Sequence, residues 1–307
     1  MDLPIVVGVD GSQPSLRAAD WAADEAALRG VPLRLVHASV WERYEGPVLD
    51  AGPDEPSERT LIEDIVRAAE HRARLRRPGV RITAEVLPEE PEYTLVRESR
   101  AALAVVLGSR GRSGVAEALR GSVSLAVAGR AHCPVIVLRG SHDNRAGPGA
   151  RGRVALGVGE QPAGSAAARF AIEEASLRGV PLAAVRAWRA ESVRAWRHPV
   201  HATAGGPPSG APQGLAGLAG DPAHTERQRA AELLEEALRG APADLKADLR
   251  AYAGRARDAL LAVSYEADLL VVGAGHRHGR LGFHIGRFLH GVLHHSGCPV
   301  AVVPELS

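Results

Sequence analysis

Two glycine-rich segments and one aspartate have the residue types and spacing of a site that binds a phosphorylated ligand. Gly108 and Gly111 are separated by two residues, and nine residues later Gly121 is followed directly by Ser122. Glycines allow the backbone to approach a ligand closely and to adopt positive φ, so that free amides can point at an anion. A helix that begins at such a loop adds the positive end of its dipole. We therefore expect this segment to bind phosphate groups, with Asp10 nearby.

The apolar pattern places Asp10 and Gly108 directly after two strands. Residues 5–9 and 103–107 are apolar runs typical of parallel strands that are covered on both faces. Asp10 follows the first run and Gly108 follows the second. Because ligands of open α/β sheets bind at the carboxyl ends of the strands, both residues are predicted to lie at one edge of the sheet.

The chain is a tandem duplication. Residues 28–33, Leu-Arg-Gly-Val-Pro-Leu, recur letter for letter at 177–182, an offset of 149. Near the ends of the halves, Cys-Pro-Val at 133–135 matches 298–300, an offset of 165. The second half therefore carries 16 extra residues (165 − 149).

Segments rich in glycine, proline and alanine indicate the domain boundaries. We expect one domain at 1–140, a linker at 141–152 and a second domain at 153–307. Residues 198–223 can bury little apolar surface, so they are the expected host of the extra residues and are predicted to form a mobile loop.

Alternating strands and helices predict an α/β fold: two tandem, doubly wound, five-stranded parallel-sheet domains with right-handed crossovers. The strands predicted in the first half are 5–9, 33–37, 80–87, 103–107 and 134–138. The helices predicted there are 14–29, 57–76, 93–100 and 115–130. Each half ends in a short apolar edge strand, 135–137 and 300–303, that needs cover. We expect the halves to pair through these strands as a pseudo-dimer.

The first half resembles the ATP-binding branch of the universal stress protein family, whose signature is G-x2-G-x9-G-[ST]. The resemblance covers residues 1–140 and includes the strand end at 35–38 and the terminal strand that begins at 132–135. It implies a Rossmann-like fold of the adenine nucleotide alpha hydrolase type, with ATP and Mg²⁺ as ligands. By this resemblance, Asp10 and Ala38 contact the nucleoside, Gly108, Arg110 and Gly111 the ribose and phosphates, and Gly121, Ser122 and Val123 the phosphate chain.

The second half keeps the fold pattern but departs from the signature. Three positions differ: Gly159, His276 and Arg287 replace Asp10, Gly111 and Ser122, respectively. A ring at position 276 would stand where the backbone should approach phosphate. We therefore interpret the second half as degenerate for nucleotide binding.

Histidines are concentrated near the end of the chain. Six occur between 276 and 295: His276, His278, His284, His290, His294 and His295. His290 and His294 have the i, i+4 spacing of zinc-binding helices. Because no carboxylate or cysteine accompanies them closely, we interpret them as solvated side chains and predict no metal site. Cys133 and Cys298 are interpreted as buried structural thiols.

Composition excludes several classes of protein. Apolar residues make up 45% and charged residues 24% of the chain, as in ordinary globular proteins. With 37 basic and 36 acidic residues, the chain has no overall electrostatic field that would attract nucleic acid or anionic lipid.

Lys246 is the only lysine, so the abundance of arginine reflects composition bias as much as function. No signal peptide or membrane-spanning run is apparent, and we expect a cytoplasmic protein.

The favoured function is an ATP-binding module with a regulatory role in stress response. One alternative is a slow ATPase or phosphotransferase that uses Asp10 and Mg²⁺, although the chain has no G-x4-G-K-[ST] motif and Lys246 lies in the other half. A second alternative is a scaffold that binds partners without nucleotide. The sequence leaves open whether the chain forms a homodimer and whether it binds a protein partner.

Overall fold

Ten strands and eight helices are formed by the residues that this computed structural model describes, 2–40, 58–109, 123–139, 151–188, 222–274 and 287–305. The strands are β1 (Ile5–Gly8), β2 (Leu33–Ala38), β3 (Ile82–Leu87), β4 (Ala104–Gly108), β5 (Val135–Leu138), β6 (Val154–Gly157), β7 (Leu182–Trp188), β8 (Ala247–Ala253), β9 (Leu269–Ala274) and β10 (Val300–Pro304). The helices are α1 (Gln13–Arg29), α2 (Glu58–Arg76), α3 (Pro91–Glu98), α4 (Val123–Arg130), α5 (Ala166–Arg178), α6 (Pro222–Ala237), α7 (Ala256–Ser264) and α8 (Arg287–His295).

The strands form one continuous sheet in the order β3-β2-β1-β4-β5-β10-β9-β6-β7-β8. Pairing within each half is parallel, whereas β5 and β10 pair antiparallel, with Ala301 opposite Ile136. The two terminal strands therefore cover each other. The predicted fold class and the pseudo-dimer are confirmed.

Side chains alternate between the two faces of the sheet, and helices cover both faces. Ile5 and Val7 of β1 face a cluster that also contains residues of α1, α2 and α5. Val6 faces the opposite cluster, to which α3, α4, α7 and α8 contribute. This two-sided burial explains why the central strands are uninterrupted apolar runs.

Helix α1 begins and ends where the sequence predicts. The Ser12 side chain accepts a hydrogen bond from the Ser15 amide, and Pro14 lies in the first turn. Gly30 ends the helix with φ of 68°, a left-handed conformation that favours glycine. Ser165 and Gly179 do the same for α5.

A few predicted boundaries differ from the structure. Helix α3 begins two residues earlier than predicted, because Pro91 suits a first helical position. A short 3-10 turn, Ser99–Ala101, follows it. Residues 115–122 of the last predicted helix and 198–221 of the predicted loop lie outside the described residues. Because α6 begins at Pro222, the extra residues of the second half lie between β7 and α6.

Four buried charged side chains join the two halves where α1 meets α5. Arg29 pairs with Glu25 of its own helix and with Glu174 of α5, while Arg178 pairs with Glu174 and with Glu25 of α1. Each of the four side chains is at most 6% exposed. The 149-residue offset relates Arg29 to Arg178 and Glu25 to Glu174, so this buried tetrad is symmetric about the pseudo-two-fold axis.

Aromatic rings complete the surroundings of the tetrad. The guanidinium of Arg29 lies 5.5 Å from the ring centroid of Phe170, and that of Arg178 lies 6.0 Å from that of Trp21. Burial lowers the pKa of Arg178, and the neighbouring Glu25 carboxylate opposes this shift. Arg178 is thus held by two carboxylates and one aromatic ring, and Arg29 has the same kinds of partner plus the exposed carboxylate of Glu173 at 2.5 Å.

Hydrogen bonds join residues 151–153 to the body of the second half. The Asp268 carboxylate accepts hydrogen bonds from the backbone amides of residues 151–153. The Arg151 guanidinium donates to the carbonyls of Ser264, Ala267 and Gly297. Residues 151 and 152, which the sequence analysis assigns to the linker, are therefore packed against the second half.

Candidate functional site

Three strand ends meet at the carboxyl edge of the first half. Strand β1 pairs with β2 on one side and with β4 on the other, so the crossovers diverge between β1 and β4. Asp10 follows β1, Ala38 ends β2 and Gly108 ends β4. This is the switch point of a doubly wound sheet, where ligands of such folds bind.

A hydrogen bond closes the glycine-rich loop at its base. The Ser124 hydroxyl in the first turn of α4 donates to the Gly108 carbonyl at 2.7 Å. The end of β4 and the amino end of α4 are therefore held together. The amino end of a helix carries partial positive charge, so its position beside the end of β4 is suited to an anion.

Asp10 is held in a defined turn. Its Oδ1 accepts a hydrogen bond from the Ser12 amide at 2.9 Å, and its own amide donates to the Ser15 hydroxyl at 3.2 Å. The Ser15 hydroxyl donates in turn to the Ser12 carbonyl at 2.9 Å. Gly11 between them has φ of 80°, so the turn favours glycine at this position. These contacts hold the Asp10 carboxylate within the turn.

His37 ties the end of β2 to the end of β1. Its buried Nδ1 donates to the Val9 carbonyl at 2.8 Å, directly before Asp10. In the second half, Arg186 stands at the corresponding position and donates to the Val158 carbonyl at 3.1 Å. The same tether is therefore built from different side chains in the two halves.

Half of the predicted site residues fall within the described structure. Asp10, Ala38, Gly108 and Val123 are brought together at the ends of β1, β2 and β4 and the start of α4. The other four, Arg110, Gly111, Gly121 and Ser122, lie outside the described residues. Sequence reasoning missed Ser124 and His37. Both could have been identified from their positions in the sequence. Ser124 lies in the first turn of a helix, and His37 is a polar residue at the end of a buried strand.

The second half lacks several of these contacts. Gly159 in place of Asp10 offers no carboxylate, and Leu289 stands 165 residues after Ser124, where no hydroxyl can tie the helix to β9. Leu289 is instead buried in the apolar core. Arg287 is the first residue of α8, and His276 lies outside the described residues.

Histidines and cysteines are not grouped as metal ligands in the described ranges, where no cluster of three or more His, Cys, Asp or Glu could hold an ion. The ring centroids of His290 and His294 lie 4.3 Å apart on α8, whereas His276, His278 and His284 are outside those ranges.

Burial raises the pKa of both Cys133 and Cys298 to about 12. Both thiols are therefore protonated at neutral pH, as structural cysteines are. None of the described helices is long and apolar enough to span a bilayer.

Gly108 is expected to be sensitive even to alanine. A Cβ at this position would lie 2.8 Å from the Pro14 carbonyl carbon and 2.9 Å from its oxygen, so the first turn of α1 would have to move. We expect Gly108→Ala to lower the free energy of unfolding by about 1–3 kcal/mol, the usual cost of overpacking. Urea denaturation followed by circular dichroism measures the loss.

Gly273→Ala is the matched control, because the 165-residue offset makes Gly273 the counterpart of Gly108. Its Cβ would meet Glu305 Oε1 at 3.5 Å and the Ala167 Cβ at 3.7 Å, which are ordinary contacts. Both changes restrict the unfolded chain equally, so the difference between them isolates the clash. Equal losses in the two variants would show that the contact with Pro14 does not constrain Gly108.

Comparison with known proteins gives consistent matches over the whole chain. A model of the universal stress protein family matches residues 3–139 and again 151–304. A universal stress protein of Mycobacterium tuberculosis is 32% identical over 309 aligned residues, which cover 98% of this chain and 97% of that protein. Another from the same species is 39% identical over 188 residues, covering 61% of this chain and 66% of that protein. The crystal structure of a universal stress protein from Archaeoglobus fulgidus has a TM-score of 0.65 and 15% identity, covering 99% of this chain and 96% of that one.

Proposed function

Because the chain belongs to the universal stress protein family, we propose that its first half is an ATP-binding module with a regulatory role in stress response. The observation that carries the proposal is the Ser124 hydrogen bond to Gly108, which closes the base of the glycine-rich loop beside Asp10. A complete G-x2-G-x9-G-[ST] motif lies between or next to these residues. The same bond cannot form in the second half, where Leu289 replaces Ser124.

The described residues fit an adenine nucleotide. Asp10 is held by Ser12 and presents a carboxylate at the switch point, where it would accept hydrogen bonds from the nucleoside. Ala38 is small and leaves room at the end of β2. The backbone of Gly108 and the amino end of α4 would face the phosphates, together with Gly111, Gly121 and Ser122 of the motif. Mg²⁺ would neutralise part of the phosphate charge.

The proposed role is binding rather than turnover. Within the described part of the site, the buried His37 is engaged with the Val9 carbonyl, and Asp10 is engaged with the Ser12 amide. Each contact holds one atom of the group at the turn after β1, and we assign neither group as a base for an attacking water. Phosphate release from ATP, compared between the wild type and Asp10→Ala, tests the alternative of a slow ATPase.

The stoichiometry of ATP is the direct test. Native mass spectrometry and titration calorimetry of the full chain are expected to give one ATP per chain. Asp10→Asn keeps an oxygen for the Ser12 amide but removes the charge, and we expect it to weaken binding at least about tenfold, as for the loss of one charge-assisted hydrogen bond. Asp64→Asn, on the exposed face of α2, is the control and should bind like the wild type. No binding, or two equivalent sites, would contradict the proposal.

A further inference from the structure

The first helix of the second half begins one turn later than its counterpart. Helices α1 and α5 both end at the repeated arginine, Arg29 and Arg178, but α1 has 17 residues and α5 has 13. The cap of α5 is Ser165, whereas Ser12 plus the 149-residue offset would give residue 161. Residues 162–165 form a turn with Gly164 at φ of 64° instead of a first helical turn.

A cavity lies at the switch point of the second half, beside the late start of α5. In the first half, the backbone of Pro14 in the first turn of α1 fills the space against Gly108. In the second half, a cavity of about 510 Å³ lies between the ends of β6 and β9 and the start of α5. Its lining includes Gly157, Gly159, Pro162, Gly273 and Glu305. This volume lies within the range of small-molecule sites.

Glu305 places a carboxylate in this cavity. Its Oε2 accepts a hydrogen bond from the Ala166 amide, the first of α5, at 3.0 Å. Its Oε1 would lie 3.5 Å from a Cβ at Gly273, so the side chain reaches between α5 and β9. The Ser165 hydroxyl accepts from the Ala168 amide. Side chains of the chain itself thus bind two amides at the amino end of α5, an end that favours negative charge.

The corresponding position in the first half has no side chain. The 165-residue offset that relates β10 to β5 makes Gly140 the counterpart of Glu305. A glycine cannot supply a carboxylate to the amino end of α1. The two halves therefore differ in the glycine motif and also in the residue after the last strand, which is acidic only in the second half.

We propose that the Glu305 carboxylate is an internal ligand of the second-half cavity. It prevents external carboxylate and phosphate groups from binding there. The carboxylate occupies the helix amide that such a group would use, and its charge repels a second anion. Removing the side chain converts the cavity into a site for small oxyanions. The inference concerns the second half alone and does not depend on ATP binding by the first half.

Chemical rescue of Glu305→Ala tests this role in the full chain. We expect the melting temperature to fall by about 2–4 °C, as for the loss of one helix-capping contact. Sodium acetate, and in a separate arm inorganic phosphate, should restore at least half of that loss, compared with sodium chloride at equal ionic strength. The melting temperature of the wild-type protein should not rise with acetate in this way. A rise with phosphate that the wild type and the variant share is assigned to the first half.

Glu160→Ala is the matched control, because Glu160 also lines the cavity but is largely exposed and pairs with Arg186. It should show no anion-specific rescue. Glu305→Gln keeps an oxygen for the Ala166 amide and serves if the alanine variant does not fold; it should respond to acetate in the same direction with a smaller shift. An equal acetate response of wild type and both Glu305 variants, or no response in any of them, would overturn the proposal.

Discussion

Arg178→Ala is expected to lower the free energy of unfolding by about 3–5 kcal/mol, the cost of breaking a buried ion pair by removing one partner. Arg178 is almost fully buried and holds Glu25 from one half and Glu174 from the other. Without it, two carboxylates stay in the core and share Arg29, which also pairs with the exposed Glu173. Burying an uncompensated charge is more costly than losing the attraction itself.

The magnitude follows from where the network lies. The buried tetrad contains two positive and two negative groups, so it is neutral as a whole and tolerates burial. Any single substitution to a neutral residue leaves a net charge between α1 and α5. Replacing all four members together by leucine and methionine leaves none, and we expect that variant to be as stable as the wild type or more stable.

Urea denaturation of the full chain, followed by circular dichroism, measures both variants. Arg67→Ala is the control, because Arg67 pairs with Asp64 on the exposed face of α2 and such pairs contribute at most about 1 kcal/mol. A loss for Arg178→Ala as small as that of Arg67→Ala would mean that water reaches the tetrad. A large loss in the fourfold apolar variant would mean that the charges, and not the shape of the contact, hold the halves together.

The tetrad accounts for one residue of the identical blocks, the arginine at positions 29 and 178. The sequence predicts the duplication from residues 28–33 and 177–182, but it gives no reason to single out Arg29 and Arg178, because nearly all the cations of the chain are arginine. A glutamate four residues before each of them, one helical turn away, is the signal that could have identified buried pairs. That signal becomes specific only when both helices are known to meet at a two-fold axis.

Strands and helix ends were predicted with most success where local physics determines them. The caps Ser12 and Gly30 and the apolar strands β1 and β4 follow from side-chain chemistry within a few residues. The late start of α5 could not be predicted in the same way, because Pro162 and Ser165 are each acceptable near a helix start. The observed start coincides with a contact from far away in the sequence, because the Ala166 amide donates to the Glu305 carboxylate.

Gly111→His is expected to weaken ATP binding by more than about 100-fold, since two or three charge-assisted hydrogen bonds of about 1.5–3 kcal/mol each would be lost. The substitution copies the second half, where His276 occupies this position of the motif. Gly111 lies outside the described residues, so the expectation rests on the motif and on the closed base between Gly108 and Ser124. A ring at the second glycine of the motif would stand where backbone amides should meet phosphate oxygens.

The reverse change, His276→Gly, tests whether the residue at this position is by itself enough to prevent the second half from binding ATP. It should leave ATP affinity at the first half unchanged, and it should not create a second site. The second half would still lack a carboxylate at Gly159 and a hydroxyl at Leu289, and its α5 amide would still be bound by Glu305. Titration calorimetry of the wild type and both variants measures these affinities. Full-strength binding by Gly111→His would show that this motif position does not decide which half binds nucleotide, whereas a second equivalent of ATP in His276→Gly would show that His276 alone keeps the second half from binding.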